Sequence, residues 1–234
     1  MVNLGYQVLP VNPLVTDWAV AAYQEVLKLD TSERRHGGTW FVGVDALSNA
    51  TDGSVDGVPM PFAHMSPHWH AAQVSIVYDG YPSRDKNENE SAHLFRLNRD
   101  AAHMDGLLPE HPNKRRHLRE PHAFIIGMAL NEARASPLVV WEGSQHVMTA
   151  AFRHIFDGIN PVDYGDLDVT NAYQVARREV FDTCRRVEVP TRVGEAVILH
   201  RHLIHGVAPW AGDALTEGRI IAYFRPLADY DVWL

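Results

Sequence analysis

The sequence predicts a mainly β protein with flanking helices, its strands closed into a sandwich or barrel. Three observations carry that reading. From Thr39 onward, short runs rich in β-branched and aromatic residues recur between Gly, Pro, Asn and Asp, the rhythm of many short strands. One amphipathic segment precedes them, and two helical segments interrupt them between Gln145 and Arg186. The chain has 234 residues, 46% hydrophobic and 21% charged, which fits one domain with a single good-sized core.

Taken in order, TDWAVAAYQEVLKL, from Thr16 to Leu29, repeats Trp18, Ala22, Val26 and Leu29 at helical spacing behind a Thr-Asp start signal. The strand candidates follow as TWFVGV, AQVSIVY, HLFRL, HAFIIGMAL, PLVVW, RVEVP, AVILH and RIIAYF. Between the fifth and sixth of these, HVMTAAFRHIF and NAYQVARREVFDTCRR read as helices, the second with Tyr173, Ala176, Val180, Phe181 and Cys184 on one stripe. They form a helical insertion at about 147–186 that could wall or cover a site. The polar stretch from Asp79 to Ser91 is expected to be a mobile surface loop. No internal repeat and no low-complexity tract occurs.

Composition narrows the partners. A net charge of −8 and a pI near 5.9 give no global field for a nucleic-acid backbone or an anionic membrane, so a small molecule is the expected ligand. No apolar run approaches the roughly 20 residues of a membrane span, and MVNLGYQVLP lacks the basic and apolar regions of a leader. Cys184 is the single cysteine, which rules out an intrachain disulfide and fits the cytoplasm. The oligomeric state stays open, a homodimer included.

The chemistry begins at AHMDG. In a strand, residues i and i+2 share a face, so His103 and Asp105 can offer an imidazole nitrogen and a carboxylate oxygen to one metal. Alone the motif is weak, because 14 His and 17 Asp in 234 residues yield roughly one H-x-D by chance. Its context lies in GEAVILHRHLIHGVAPW followed by EGRIIAYFRP. His205 supplies a third ligand candidate and carries the H-G context, with His200 and His202 as competitors for that position. Arg219 opens the last strand, where its guanidinium could grip a carboxylate with a bidentate fork, cap the strand end or pair with Glu217. Ile221 and Tyr223 share its face by alternation. Two histidines and one carboxylate would leave open positions on an iron for a co-substrate and O2.

The order H-x-D, PLVVWEGSQH, G-E-x-V-x-x-H with H-G, then an arginine opening a strand, resembles the phytanoyl-CoA dioxygenase-like family of Fe(II)/2-oxoglutarate-dependent oxygenases. The match runs from about Phe95 to Pro226, with a looser one in GYQVLP. The resemblance implies a double-stranded β-helix, a jelly roll of the cupin-like barrel class, with its core at about 94–226 and a helix-containing extension at 1–93. It implies Fe(II) on His103, Asp105 and His205, 2-oxoglutarate on Arg219, O2 as oxidant, and iron-centred hydroxylation with release of succinate and CO2. Val207 stands where many members have Ser, so Tyr223 and Thr216 are candidates to complete the carboxylate grip. The retained Asp105 argues against the halogenase variants of the family.

Trp141, Gln145 and His146 are candidates for substrate contact, although aromatic residues such as Trp40, Trp69 and Trp141 are more often core. HPNKRRHLREPH, from His111 to His122, is expected to be a solvated basic loop. Two rival functions remain. His68-x-His70 before a β-run resembles half of a cupin metal motif without its glutamate, and a jelly roll can serve as a non-catalytic binding module.

Overall fold

A computed structural model describes residues 3–234. In chain order its strands are β1 (Tyr6–Leu9), β2 (Arg34–Arg35), β3 (Trp40–Gly43), β4 (Gln73–Val77), β5 (Leu107–Glu110), β6 (Arg115–Leu118), β7 (Phe124–Ala129), β8 (Leu138–Glu142), β9 (Arg185–Val189), β10 (Ala196–His200), β11 (His205–Val207) and β12 (Arg219–Phe224). The helices are α1 (Pro13–Val26), α2 (Glu90–Arg99), α3 (Ser144–Ile155) and α4 (Thr170–Thr183). A seven-stranded antiparallel sheet has the order β1-β10-β7-β12-β4-β3-β2, a three-stranded sheet the order β11-β8-β9, and β5-β6 is a separate hairpin. The chain is mainly β, a jelly roll in which β1-β10-β7-β12-β4 and β11-β8 bring together strands distant in sequence. The first 93 residues supply four strands of the large sheet.

The two sheets face each other across an interior built from Ile125, Ala129, Val197, Leu199, Ile221 and Tyr223 on one side and Leu138, Val140 and Val189 on the other. The opposite faces are covered too. Ile126, Met128, Ile198, Ala222 and Phe224 meet Val15, Trp18, Ala19, Ala22 and Val26 of α1. Val139 and Trp141 of β8 meet Met148 and Phe152 of α3 and Tyr173, Ala176 and Val180 of α4. Burial on both faces explains why AVILH and RIIAYF are continuous apolar runs rather than alternating ones. Trp18, fully buried, still satisfies its indole by donating Nε1–H to the Gly53 carbonyl at 2.9 Å.

Several elements differ from the sequence expectations. α1 starts three residues before Thr16, because Asn12 caps the helix through Leu14 N–H and Pro13 occupies its first turn; Leu29 lies beyond its end. HLFRL lies in a helix, α2, and not in a strand. Its apolar residues suit either state, but Asn89 accepts from Ala92 N–H as an N-cap and Arg96 and Arg99 sit in the last turn. The stretch from Asp79 to Ser91 is anchored: Tyr81 is buried, and Asp85 accepts from the backbone N–H of His36 at 3.1 Å and of Gly37 at 2.7 Å. HPNKRRHLREPH forms the turn and second strand of the β5-β6 hairpin, its charges spent on Arg115–Asp168 and Arg119–Glu110 pairs. No helix among the described residues is long and apolar enough to cross a membrane.

Candidate metal centre

His103 and His205 stand opposite each other as an antiparallel bridge. His103 N–H donates to the His205 carbonyl at 2.8 Å and His205 N–H to the His103 carbonyl at 3.0 Å, which brings the ring centroids to 4.8 Å. Two glycines make room for that approach. A Cβ at Gly206 would lie 2.1 Å from the Asp100 carbonyl oxygen, and one at Gly106, where φ is +85°, would lie 2.2 Å from the Glu120 carbonyl oxygen. The Asp100 carboxylate, itself buried, receives a two-pronged grip from Arg186 at 2.7 and 2.8 Å, tying the segment before His103 to β9.

Both imidazoles are oriented the same way. Nδ1 of His103 lies 3.0 Å from the Ala101 carbonyl oxygen and Nδ1 of His205 lies 2.9 Å from that of Leu203. A carbonyl can only accept, so each Nδ1 carries the proton and each Nε2 presents a lone pair. Nε2 of His103 is 3.0 Å from Oδ1 of Asp105, and Nε2 of His205 is 3.7 Å from Oδ2. All three donors fall within 4.8 Å of one another. Ligands at about 2.1 Å on adjacent octahedral positions are about 3 Å apart, so a first-row divalent ion fits this set.

Burial pushes the Asp105 carboxyl up, yet the Arg225 guanidinium outweighs it and the group is held well below the usual carboxylate range. Arg225 donates from Nε to Oδ2 of Asp105 at 2.5 Å and is itself partly buried. The sequence reading missed this residue. The signal was present: continuing the alternation of Arg219, Ile221 and Tyr223 by one step reaches it.

The triad opens on a cavity of about 660 Å³ whose wall includes Trp40, Val42, Val44, Leu107, Leu108, Ile125, Leu138, Tyr223 and Leu227, with Arg35, Arg116 and Arg225 as its arginines. Tyr223 therefore lies on the cavity. Arg219 does not line it. Its side chain is buried on the same strand face as Tyr223, and its Nη1 has no hydrogen-bond partner. Glu217 is not its partner, because that carboxylate accepts from Tyr23 and Asn131.

Four expected contacts fall elsewhere. Thr216 is exposed in the loop before β12. On β8, Leu138 and Val140 face the interior, so Trp141 faces the helices and packs 5.4 Å from Phe181. Gln145 and His146 sit in the first turn of α3, outside the cavity wall, with Gln145 Nε2 3.2 Å from His146 Nε2. His200 and His202 join neither Asp105 nor each other as a donor set; Nδ1 of His202 meets Thr149 Oγ1 at 2.7 Å.

The rival histidine pair is not assembled for a metal. Nδ1 of His70 lies 2.6 Å from the Ala71 carbonyl oxygen and its Nε2 accepts from Arg225 N–H at 2.7 Å, so both nitrogens are engaged, while His68 is exposed. Among the described residues one other donor group occurs, His36, Asp85 and Glu88. There Arg96 already neutralises Glu88 and both Asp85 oxygens accept backbone N–H groups.

Solved structures of similar outline exist. Among them are the non-haem α-ketoglutarate-dependent carbocyclase SnoK from nogalamycin biosynthesis, 13% identical over 96% of this chain and 80% of that one, with a TM-score of 0.47. EctD from S. alaskensis with bound Fe is 16% identical over 95% and 72%, with a TM-score of 0.45. AviO1 from Streptomyces viridochromogenes Tue57 is 12% identical over 96% and 90%, with a TM-score of 0.44. No protein-family model and no curated protein matches the chain.

Proposed function

We propose that this protein is an Fe(II)- and 2-oxoglutarate-dependent dioxygenase, of the phytanoyl-CoA dioxygenase-like kind, that hydroxylates a small molecule in the cytoplasm. The observation that carries the reading is the donor set itself: two Nε2 lone pairs and one ionised carboxylate, each locked by its own hydrogen bonds, converging beside a cavity of about 660 Å³. His103, Asp105 and His205 would hold the metal. When bound, Fe(II) with 2-oxoglutarate supplies the O2-derived oxidant, and succinate and CO2 leave.

The protein's own residues have separable tasks. Arg219 is a buried guanidinium with an unpartnered Nη1, the kind of group that a dianionic co-substrate's distal carboxylate would satisfy, and Tyr223, on the same strand face, lines the cavity. Trp40, Val42, Leu107, Leu108 and Leu227 give the substrate an apolar wall.

The test is an anaerobic titration of metal-free protein with Fe(II) and then 2-oxoglutarate, watching for the visible charge-transfer absorption of the chelate. Its appearance, and iron-dependent succinate release in air, are the expected results. Iron bound without that absorption would refute the co-substrate assignment and leave a metal protein of another kind.

A further inference from the structure

We propose that Arg225 is a positioning residue for the metal: by holding Oδ2 of Asp105 it leaves Oδ1 as the carboxylate's single donor. The inference rests on the reading that His103, Asp105 and His205 ligate a metal. The two oxygens of Asp105 have different surroundings. Oδ1 lies 3.0 Å from Nε2 of His103 and is free of other donors, whereas Oδ2, 3.7 Å from Nε2 of His205, has a lone pair taken by Nε–H of Arg225 at 2.5 Å. A carboxylate free to rotate can ligate through one oxygen or both. Binding through both would occupy a position that a chelating co-substrate and O2 together require.

Arg225 is built to resist that rotation. Its Nη1 donates to Oε1 of Gln73 at 3.2 Å, its backbone N–H donates to Nε2 of His70 at 2.7 Å, and its guanidinium lies 5.5 Å over the Tyr223 ring. His70 is held as an acceptor, because its Nδ1 sits 2.6 Å from the Ala71 carbonyl oxygen. Gln73 of β4 and the Tyr223 ring thus fix the guanidinium, and His70 fixes the backbone that carries it, so that Nε–H stays on Asp105. A cation this far withdrawn from water is stabilised by the carboxylate that faces it, so the pair holds Arg225 as well as Asp105.

The experiment compares wild type, Arg225→Met and Arg225→Lys, each loaded with Co(II) alone, by visible absorption, and then loaded anaerobically with Fe(II) and titrated with 2-oxoglutarate. Wild type and Arg225→Lys should share one Co(II) spectrum, because Lys can still donate to Oδ2. Arg225→Met should give a different spectrum and need at least tenfold more 2-oxoglutarate for the same chelate absorption. Identical Co(II) spectra in all three proteins would overturn the proposal whatever 2-oxoglutarate does. Distinct spectra with no chelate absorption even in wild type would uphold the positioning role and reject the co-substrate. Should Arg225→Met fail to fold, Gln73→Leu takes its place: it frees Nη1 while keeping the charge, and an unchanged spectrum there would count equally against the proposal.

Discussion

Arg219→Met should make the protein more stable and less able to bind 2-oxoglutarate at once. In the structure the Arg219 side chain is buried, its Nη1 lacks an acceptor, and among the described residues no carboxylate pairs with it. A buried polar group without a partner costs about 1–3 kcal/mol, and more when charged. Methionine keeps the length of the chain without that penalty. For a domain of this size each kcal/mol moves Tm by about 2–4 °C, so the metal-loaded variant should melt about 2–12 °C higher than wild type without co-substrate. Adding 2-oxoglutarate at 100 times its Kd should raise wild type by about 2.7 kcal/mol, or about 5–10 °C, and leave the variant unmoved. Differential scanning calorimetry under anaerobic conditions measures both. A variant that melts lower than wild type and still responds to 2-oxoglutarate would show that Arg219 is a packing residue, and the reasoning would fail.

Asp105→Ala should weaken Fe(II) binding by more than the roughly 10–100-fold that loss of an outer-shell partner costs, whereas His68→Ala should leave it unchanged; equilibrium dialysis decides, and the reverse ranking would favour the His68/His70 site. Gly206→Ala places a Cβ 2.1 Å from the Asp100 carbonyl oxygen, so the bridge must open. A loss of about 1–3 kcal/mol in urea unfolding and a weakened metal affinity are expected, and a neutral result on both would contradict the packing argument. The His202 ring is buried beside Phe152 and Trp233, and burial, with His200, Arg201 and Arg153 nearby, holds its pKa well below 6.5. The unfolded chain then takes up the proton first as pH falls. Stability should be full above about pH 6.5 and decline below it by up to about 1.4 kcal/mol per pH unit, a slope that His202→Gln should reduce.

The strands that were easiest to find in the sequence are those buried on both faces, since AVILH and RIIAYF advertise themselves as uninterrupted apolar runs. α2 was harder, because Leu94, Phe95 and Leu97 fit two periodicities and only the Asn89 cap separates them. The β5-β6 hairpin hides in a charged stretch whose ion pairs are made to distant residues such as Asp168, which local sequence does not reveal. His103, Asp105 and His205 were legible as a cluster from the H-x-D spacing and the H-G pair, although the expected strand is not there: His103 forms an isolated bridge and Asp105 lies in the turn before β5. Trp141 was misplaced for the opposite reason. Which face of β8 turns inward is set by its pairing with β11, where Val140 lies opposite His205, and that register is a tertiary fact. Arg225 escaped because it follows the last residue of β12, where a strand reading stops.

The bridge between His103 and His205 joins residues 102 positions apart, so closing it must wait until the chain between them has organised. A metal gripping both histidines would act as a removable clasp across that long loop, absent while the strands find their register and present once they have. Chelation should therefore show up chiefly as faster unfolding, with the refolding rate of the metal-free chain scarcely altered.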